Sequence, residues 1–220
     1  MQVPANKQTR GQGRTRDYPR LLSGRLCLDF ANTIEGPISP EPEDFLVDYS
    51  ALARWTWHAR AIGDDQLRTL NERGAADLTT AADAFAEAMR TRETIDRIFR
   101  SIAVGGRPAT RDLETLRETY LQAIRVASLL PGDHQFRWSW VDVEDLRLPT
   151  WLVAQDALDL LSRADLKRVK QCSGANQDCG WLFYDTSRNH TRRWCSMEGC
   201  GSRMKMRRLY ARHRKASGDD

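Results

Sequence analysis

The sequence predicts an α+β fold: a mainly helical N-terminal domain with a small β-sheet, followed by a treble-clef-like module clipped together by cysteines. Three observations carry that expectation. Apolar residues recur three or four apart through most of the stretch from Ser50 to Leu161; one short segment alternates every second residue; and four of the five cysteines fall between Cys172 and Cys200. A length of 220 residues suits one large domain with a small appendage. The composition, 40% hydrophobic with seven Trp, closes a real core and excludes global disorder. Apolar runs such as Val126–Pro131 and Trp151–Leu161 fall short of the roughly 20 residues a membrane span needs. The start of the chain lacks the apolar stretch of a secretory signal, so a reducing cytoplasm is expected and no membrane partner.

Residues 1–20 are polar and basic without periodicity and read as a flexible arm. The main domain is expected over 21–164. It opens with Arg25–Thr33, an apolar run read as a buried strand with Cys27 in the core, and continues through a Pro-rich loop from Pro37 to Pro42. A helix follows from Ser50, with Leu52, Trp55 and Ala59 on one side and Gly63 as its stop, then a short helix from Gln66 to Arg73. The strongest helical signal runs from Thr80 to Ala103, where Phe85, Met89, Ile95, Phe99 and Ile102 recur, and closes on Gly105 and Gly106. Thr110 reads as the N-cap of a helix carrying Leu113, Leu116, Tyr120 and Ile124 towards the Pro131-Gly132 turn. The short connection makes these two long helices pack antiparallel. Phe136, Trp138 and Trp140 alternate with polar residues, the mark of a half-buried strand, and this strand is expected to pair with Leu26–Phe30. After Pro149 a last helix of the domain presents Trp151, Ala154, Leu158 and Leu161.

Beyond Arg163 the composition changes sign. From Arg163 to Ala216 there are 14 Lys and Arg against 4 Asp and Glu, a surplus of ten in a chain of net charge +4, so the remainder carries −6. An acidic body carrying a cationic module points to an anionic partner, nucleic acid first. The third region is therefore set at 165–220.

The cysteines of this region follow C-x6-C (Cys172, Cys179), fifteen residues, then C-x4-C (Cys195, Cys200). Four clustered cysteines in a cytosolic chain indicate metal before disulfide. A four-thiolate zinc site is closed, without a position for water or substrate, so one structural Zn2+ is expected. Independent buried thiols and a reversible disulfide switch are the alternatives, and His190 is the substitute ligand. Between the pairs, Trp181–Asp185 reads as a strand, Thr186–His190 as a turn and Thr191–Cys195 as the returning strand. Gly201–Lys215 reads as a helix whose first turn brings the last ligand, with Met206, Leu209, Tyr210 and His213 in one stripe and seven cations on its flanks. Such self-repelling charge fits a polyanion. The candidate DNA contacts are Arg188, Arg192, Arg193, Arg203, Lys205, Arg207, Arg208 and Arg212, giving phosphate contacts and bidentate readout of guanine edges.

The segment Cys179-Gly-Trp-Leu-Phe-Tyr-Asp-Thr-Ser-Arg188, with Arg192-Arg-Trp-Cys-Ser-Met197 and Cys200-Gly-Ser-Arg203, resembles the CGNR zinc-finger family of bacterial proteins. Leu26-Cys-Leu-Asp-Phe-Ala-Asn-Thr33 is similar to the opening of the ABATE domain that precedes that finger. Two positions depart from the family pattern: the name-giving Asn is Ser202, and the first cysteine pair is spaced by six residues where four is usual. The resemblance implies a treble-clef-like zinc finger and a transcription regulator of duplex DNA, with an N-terminal domain that senses a small molecule.

The expected function is thus a zinc-dependent DNA-binding transcriptional regulator, cytoplasmic and nucleoid-associated. RNA polymerase or a small-molecule effector is a further expected partner, and a homodimer a further expected assembly. Asp29, Asn32, Thr33, Trp55 and Trp138 are the candidate ligand pocket, with the tryptophans as core filling the alternative. Two other functions compete. Trp181, Tyr184 and Trp194 would stack on unpaired bases in an RNA-binding protein. An enzyme would place its site in the N-terminal domain, but no phosphate loop, His-containing metal motif or nucleophile elbow supports one, and no catalytic residue is assigned.

Overall fold

A computed structural model describes residues 18–35, 42–133, 135–141, 143–174 and 179–217. The arm over 1–17, most of the Pro37–Pro42 loop and most of the turn between Cys172 and Cys179 lie outside the described residues.

The N-terminal body is a packed set of helices: α1 (Leu26–Ala31), α2 (Tyr49–His58), α3 (Asp64–Ala76), α4 (Leu78–Ala103), α5 (Thr110–Val126) and α6 (Leu148–Arg163). Two small antiparallel sheets accompany them, β1 (Ile34–Glu35) with β2 (Glu43–Asp44) and β3 (Ser128–Pro131) with β4 (Phe136–Ser139). Side chains cap the starts of α2 and α4. Asp48 accepts from the Ala51 amide and Asp77 from the Thr80 amide, each satisfying a donor the first turn leaves free. Thr110 is the first residue of its helix, and Ala109 holds the cap position.

Helix α4, about 39 Å long at 1.5 Å per residue, is the spine against which the other five helices of the body lean. Its inward line is Ala81, Ala84, Ala88, Ile95, Ile98 and Phe99, whereas Phe85 and Met89 sit at the margin. Alanines along the first half let neighbouring backbones approach closely. Leu28, Phe30, Leu52, Trp55, Leu116, Trp151 and Leu160 complete the core, with the Phe30 and Trp55 rings 5.1 Å apart.

Two sequence expectations are corrected here. The run from Leu26 to Ala31 is a six-residue helix and not a strand. Cys27 through Ala31 are buried on every side, so no polar face exists to reveal whether the period is 2 or 3.6. The Asp156 carboxylate accepts from the Cys27 amide at its first turn, while Arg25 pairs with the same carboxylate at 2.9 Å. The second correction concerns β4, which pairs with β3 and not with residues 26–30. Helix α5 ends at Val126, so the chain is already extended when the Gly132–Gln135 turn reverses it. Phe136 and Trp138 remain exposed on that hairpin, and only Trp140, just past it, is buried, donating Nε1–H to the Ala123 carbonyl.

Beyond α6 comes a smaller unit. A short 3₁₀ turn (Leu166–Arg168) leads into β5 (Val169–Gln171), which pairs antiparallel with β6 (Leu182–Tyr184), and a π-turn (Met197–Gly201) opens α7 (Ser202–Ser217). Val169 and Leu182 are counted in the core of the body, so the hairpin completes that core from outside.

Candidate metal centre and basic helix

The turn of the β5–β6 hairpin carries Cys172 at one end and Cys179 at the other, and the Cys172 amide donates to the Trp181 carbonyl at 2.8 Å. Gly180 follows in the left-handed region (φ 52°), a conformation that a side chain would resist. Cys195 precedes the π-turn and Cys200 lies in it, so the opening of α7 delivers the last sulfur. Gly201 is closely approached: a Cβ there would sit 3.1 Å from Met197 Sδ and 3.3 Å from the Trp194 ring.

The four sulfurs all lie within 4.8 Å of one another, with Cys179–Cys195 and Cys195–Cys200 each at 3.6 Å. A tetrahedral tetrathiolate with metal–sulfur bonds of about 2.3 Å needs sulfurs about 3.8 Å apart. The donor set therefore fits one tetrahedral ion such as zinc. Hydrogen bonds from Cys179 and Cys195 pull the Cys172 thiol down to about 4, whereas proximity to that sulfur pushes Cys179 and Cys195 up, and burial pushes Cys200 up. Four thiolates so close together repel, and a divalent cation is what lets all four ionise. Two further donors face the sulfurs, the Cys195 amide to Cys172 Sγ at 3.2 Å and Arg203 Nη2 to Cys200 Sγ at 3.6 Å. His190, the substitute ligand, is exposed and outside this cluster, with its carbonyl accepting from Lys170 Nζ.

The expected strand over Thr191–Cys195 is irregular, for a reason visible at Asp185. This carboxylate is fully buried and accepts from Lys170 Nζ (2.7 Å), Ser187 N and Oγ (2.9 and 2.6 Å) and Arg192 N (3.0 Å). Side-chain acceptors thus take donors that a ladder would have used. Burial opposes ionisation of Asp185, yet those hydrogen bonds and the Lys170 charge outweigh it and hold the carboxyl well below the usual range.

Of the candidate pocket residues, Asn32 and Asp29 stand at the joint between the body and the β5–β6 hairpin. The Asn32 amide pairs with both backbone groups of Leu182, Nδ2 donating at 2.8 Å and Oδ1 accepting at 2.9 Å. Asp29 accepts from the Leu22 and Ser23 amides, and the Ser23 carbonyl in turn accepts from Tyr184 N. Burial raises the Asp29 carboxyl to about 7. Thr33 donates to the Phe30 carbonyl and accepts from Arg92, which is clamped onto Asp44. Trp55 is fully buried, and Trp138 stands on the separate β3–β4 hairpin. Arg100 Nη1 to the Gly180 carbonyl and Trp181 Nε1 to the Ile34 carbonyl complete the joint.

The basic residues divide into two groups. Arg192 is spent inside the molecule: its guanidinium donates to the carbonyls of Trp194, Leu22 and Cys195 and lies 4.5 Å over the Phe183 ring. Those bonds occupy Nε and Nη2 of Arg192 within the molecule, which sets it apart from the other candidate DNA contacts. Arg188, Arg193, Arg203, Lys205, Arg207 and Arg212 are exposed; the side chain of Arg208 lies outside the described residues. Of the aromatics considered for base stacking, Trp181 is buried and Tyr184 is covered by Arg168 at 4.7 Å.

Residues 24–164 match the model of the ABATE family, described as "Putative stress-induced transcription regulator". The chain belongs to the ABATE family. Residues 168–213 match the CGNR zinc finger. No curated protein matches the chain. In the CGNR finger, Ser202 at the position of the name-giving Asn keeps a local hydrogen bond, Oγ to the Met197 carbonyl at 3.0 Å. Residue-by-residue reasoning missed the parts played by Asp185 and Asn32. The signal for both lay in the motifs: Asp185 sits within the CGNR segment and Asn32 within the ABATE opening. No helix among the described residues is long and apolar enough to cross a membrane.

Proposed function

We propose that this ABATE protein is a zinc-dependent, DNA-binding transcription regulator acting in the cytoplasm at the nucleoid. One observation carries the reading: six exposed cations, Arg188, Arg193, Arg203, Lys205, Arg207 and Arg212, gather on one small unit while that unit's hairpin is occupied with the body. A surface of this kind repels itself and is stabilised by a polyanion. Bound zinc would supply a closed tetrahedral clamp for Cys172, Cys179, Cys195 and Cys200 and no catalytic position. The chain's own groups do the rest. Arg203 donates towards the Cys200 sulfur and keeps its exposed position beside the start of α7, and Arg192 with Asp185 fixes the loop that presents Arg188 and Arg193.

The body serves as the frame that fixes the finger's orientation and offers the surface for an effector, a second copy or RNA polymerase. No catalytic step is assigned to it. Titration of the full-length, zinc-loaded protein into fluorescent random-sequence duplex DNA at several salt concentrations tests the proposal. Affinity should fall steeply with salt, and Arg203→Ala with Arg207→Ala should reduce the logarithmic slope by about 0.9 for each phosphate no longer neutralised. Unchanged affinity and slope in the double variant would remove the basic helix from the interface.

A further inference from the structure

Helix α7 is amphipathic in an unusual sense: its apolar stripe faces outward. Met206 is 45% exposed, Leu209 45% and Tyr210 62%, and they stand at helical spacing with His213 completing the row. Met204, on the other side of the helix, is half-buried. Among the described elements, the only substantial packing of α7 is against the π-turn that precedes it. Exposed Arg203 and Arg207 run along one flank of the stripe, and exposed Lys205 and Arg212 along the other.

This cross-section matches the major groove of duplex DNA. A major groove about 12 Å wide admits a single α-helix, has phosphates along both walls and base edges on its floor. A helix seated there puts its flanks against the walls and its central row against the floor. The central row of α7 is apolar, and the apolar group on that floor is the C5-methyl of thymine. The charge disfavours a second α7 as the mate, since cations on both flanks of one stripe would meet cations on the other.

We infer that α7 lies in the major groove with Met206, Leu209 and Tyr210 against the base edges, and that this finger selects thymine through its C5-methyl group. The inference rests on the DNA-binding reading and sharpens it. The flanking arginines and lysine supply phosphate affinity, and sequence preference comes from the apolar row, not from arginines paired with guanine.

The test uses the full-length, zinc-loaded protein. Duplexes retained from a random pool are sequenced, and the preferred duplex is resynthesised with deoxyuridine for thymidine, which deletes the methyl and leaves charge and hydrogen bonds intact. Affinity should drop roughly fourfold for each methyl that the row covers, the factor expected for leaving one buried methyl without its partner. Leu209→Ala and Met206→Ala should erase the difference between thymine and uracil while zinc content, helicity and salt slope persist. Arg207→Ala should lower the salt slope and leave the thymine preference standing. Duplex binding with equal affinity for thymine and uracil overturns the inference but spares the DNA-binding reading, whereas no binding to any duplex overturns both. A DNA-free dimer dissolved by Leu209→Ala, or binding to anionic phosphatidylglycerol vesicles that disappears in that variant while duplex affinity is unchanged, would assign the stripe to another occupant and also overturn it.

Discussion

The body and the finger solve the same problem with different means. Residues 24–164 bury Leu28, Phe30, Trp55, Phe99 and Trp151 completely and hold together by apolar packing. Among the described residues, the finger's own apolar cluster is Cys172, Trp181, Phe183, Cys195 and Cys200, and three of those five are candidate metal ligands. So few residues bury too little surface to offset the entropy of ordering the chain. The finger compensates with a cross-link of four sulfurs, with the buried Asp185 hub, and with a hairpin that leans on the neighbouring core through Val169 and Leu182. Stability in a small module is thus supplied by bonds and borrowed surface, and the freed exterior is left for charge.

Metal removal should break the symmetry between the two parts most strongly. Reduced protein is expected to hold one zinc per chain by elemental analysis, and Cys195→Ser to lose it. Because structural zinc contributes roughly 10–16 kcal/mol to such modules, the finger should then lose amide protection while α4–α6 keep theirs; body helices that exchange as fast as the finger would show a single cooperative unit. A core truncation probes the other side. Phe99→Ala should cost about 3–5 kcal/mol in a denaturant titration, with the zinc stoichiometry unchanged.

The buried carboxylates Asp29 and Asp185 respond to pH with opposite sign. Burial puts Asp29 at about 7 in the folded chain, against about 3.9 unfolded. Between those values the folded state retains a proton the unfolded state has lost, so this group's contribution to stability falls as pH rises from about 4 to about 7. Asp29→Asn, which keeps an acceptor for Leu22 and Ser23, should flatten that part of the stability profile; an unaltered slope would place the titration elsewhere. Asp185, held low by Lys170, Ser187 and Arg192, stabilises above the unfolded carboxylate range and loses that effect as pH falls below it.

The joint gives the smallest effect. Asn32→Ala strands the amide and carbonyl of Leu182 in a buried site and should cost about 1–3 kcal/mol. Hydrogen exchange should quicken at Leu182–Tyr184 first. Equal quickening throughout the body would mean that Asn32 supports the core and not the joint.

Local pattern by itself determined a good part of this protein. The helices α2 to α6 were legible because each has one wet face, and the period of a half-exposed helix is written in its residues. The four cysteines were legible because thiols at short spacing in a polar, basic segment have no place in an apolar core. Only the tertiary structure decided the rest. Leu26–Ala31 is a helix whose period burial on all sides conceals; Asn32 is a clasp because its partner lies 150 positions along the chain at Leu182. Arg192 reads in sequence like its neighbour Arg193, yet one ties carbonyls together inside and the other faces solvent. The stripe on α7 is written in its residues, and whether anything covers it depends on where the helix points after the last cysteine. Spacing records which residues share a surface; what that surface meets is set by contacts between segments distant in sequence.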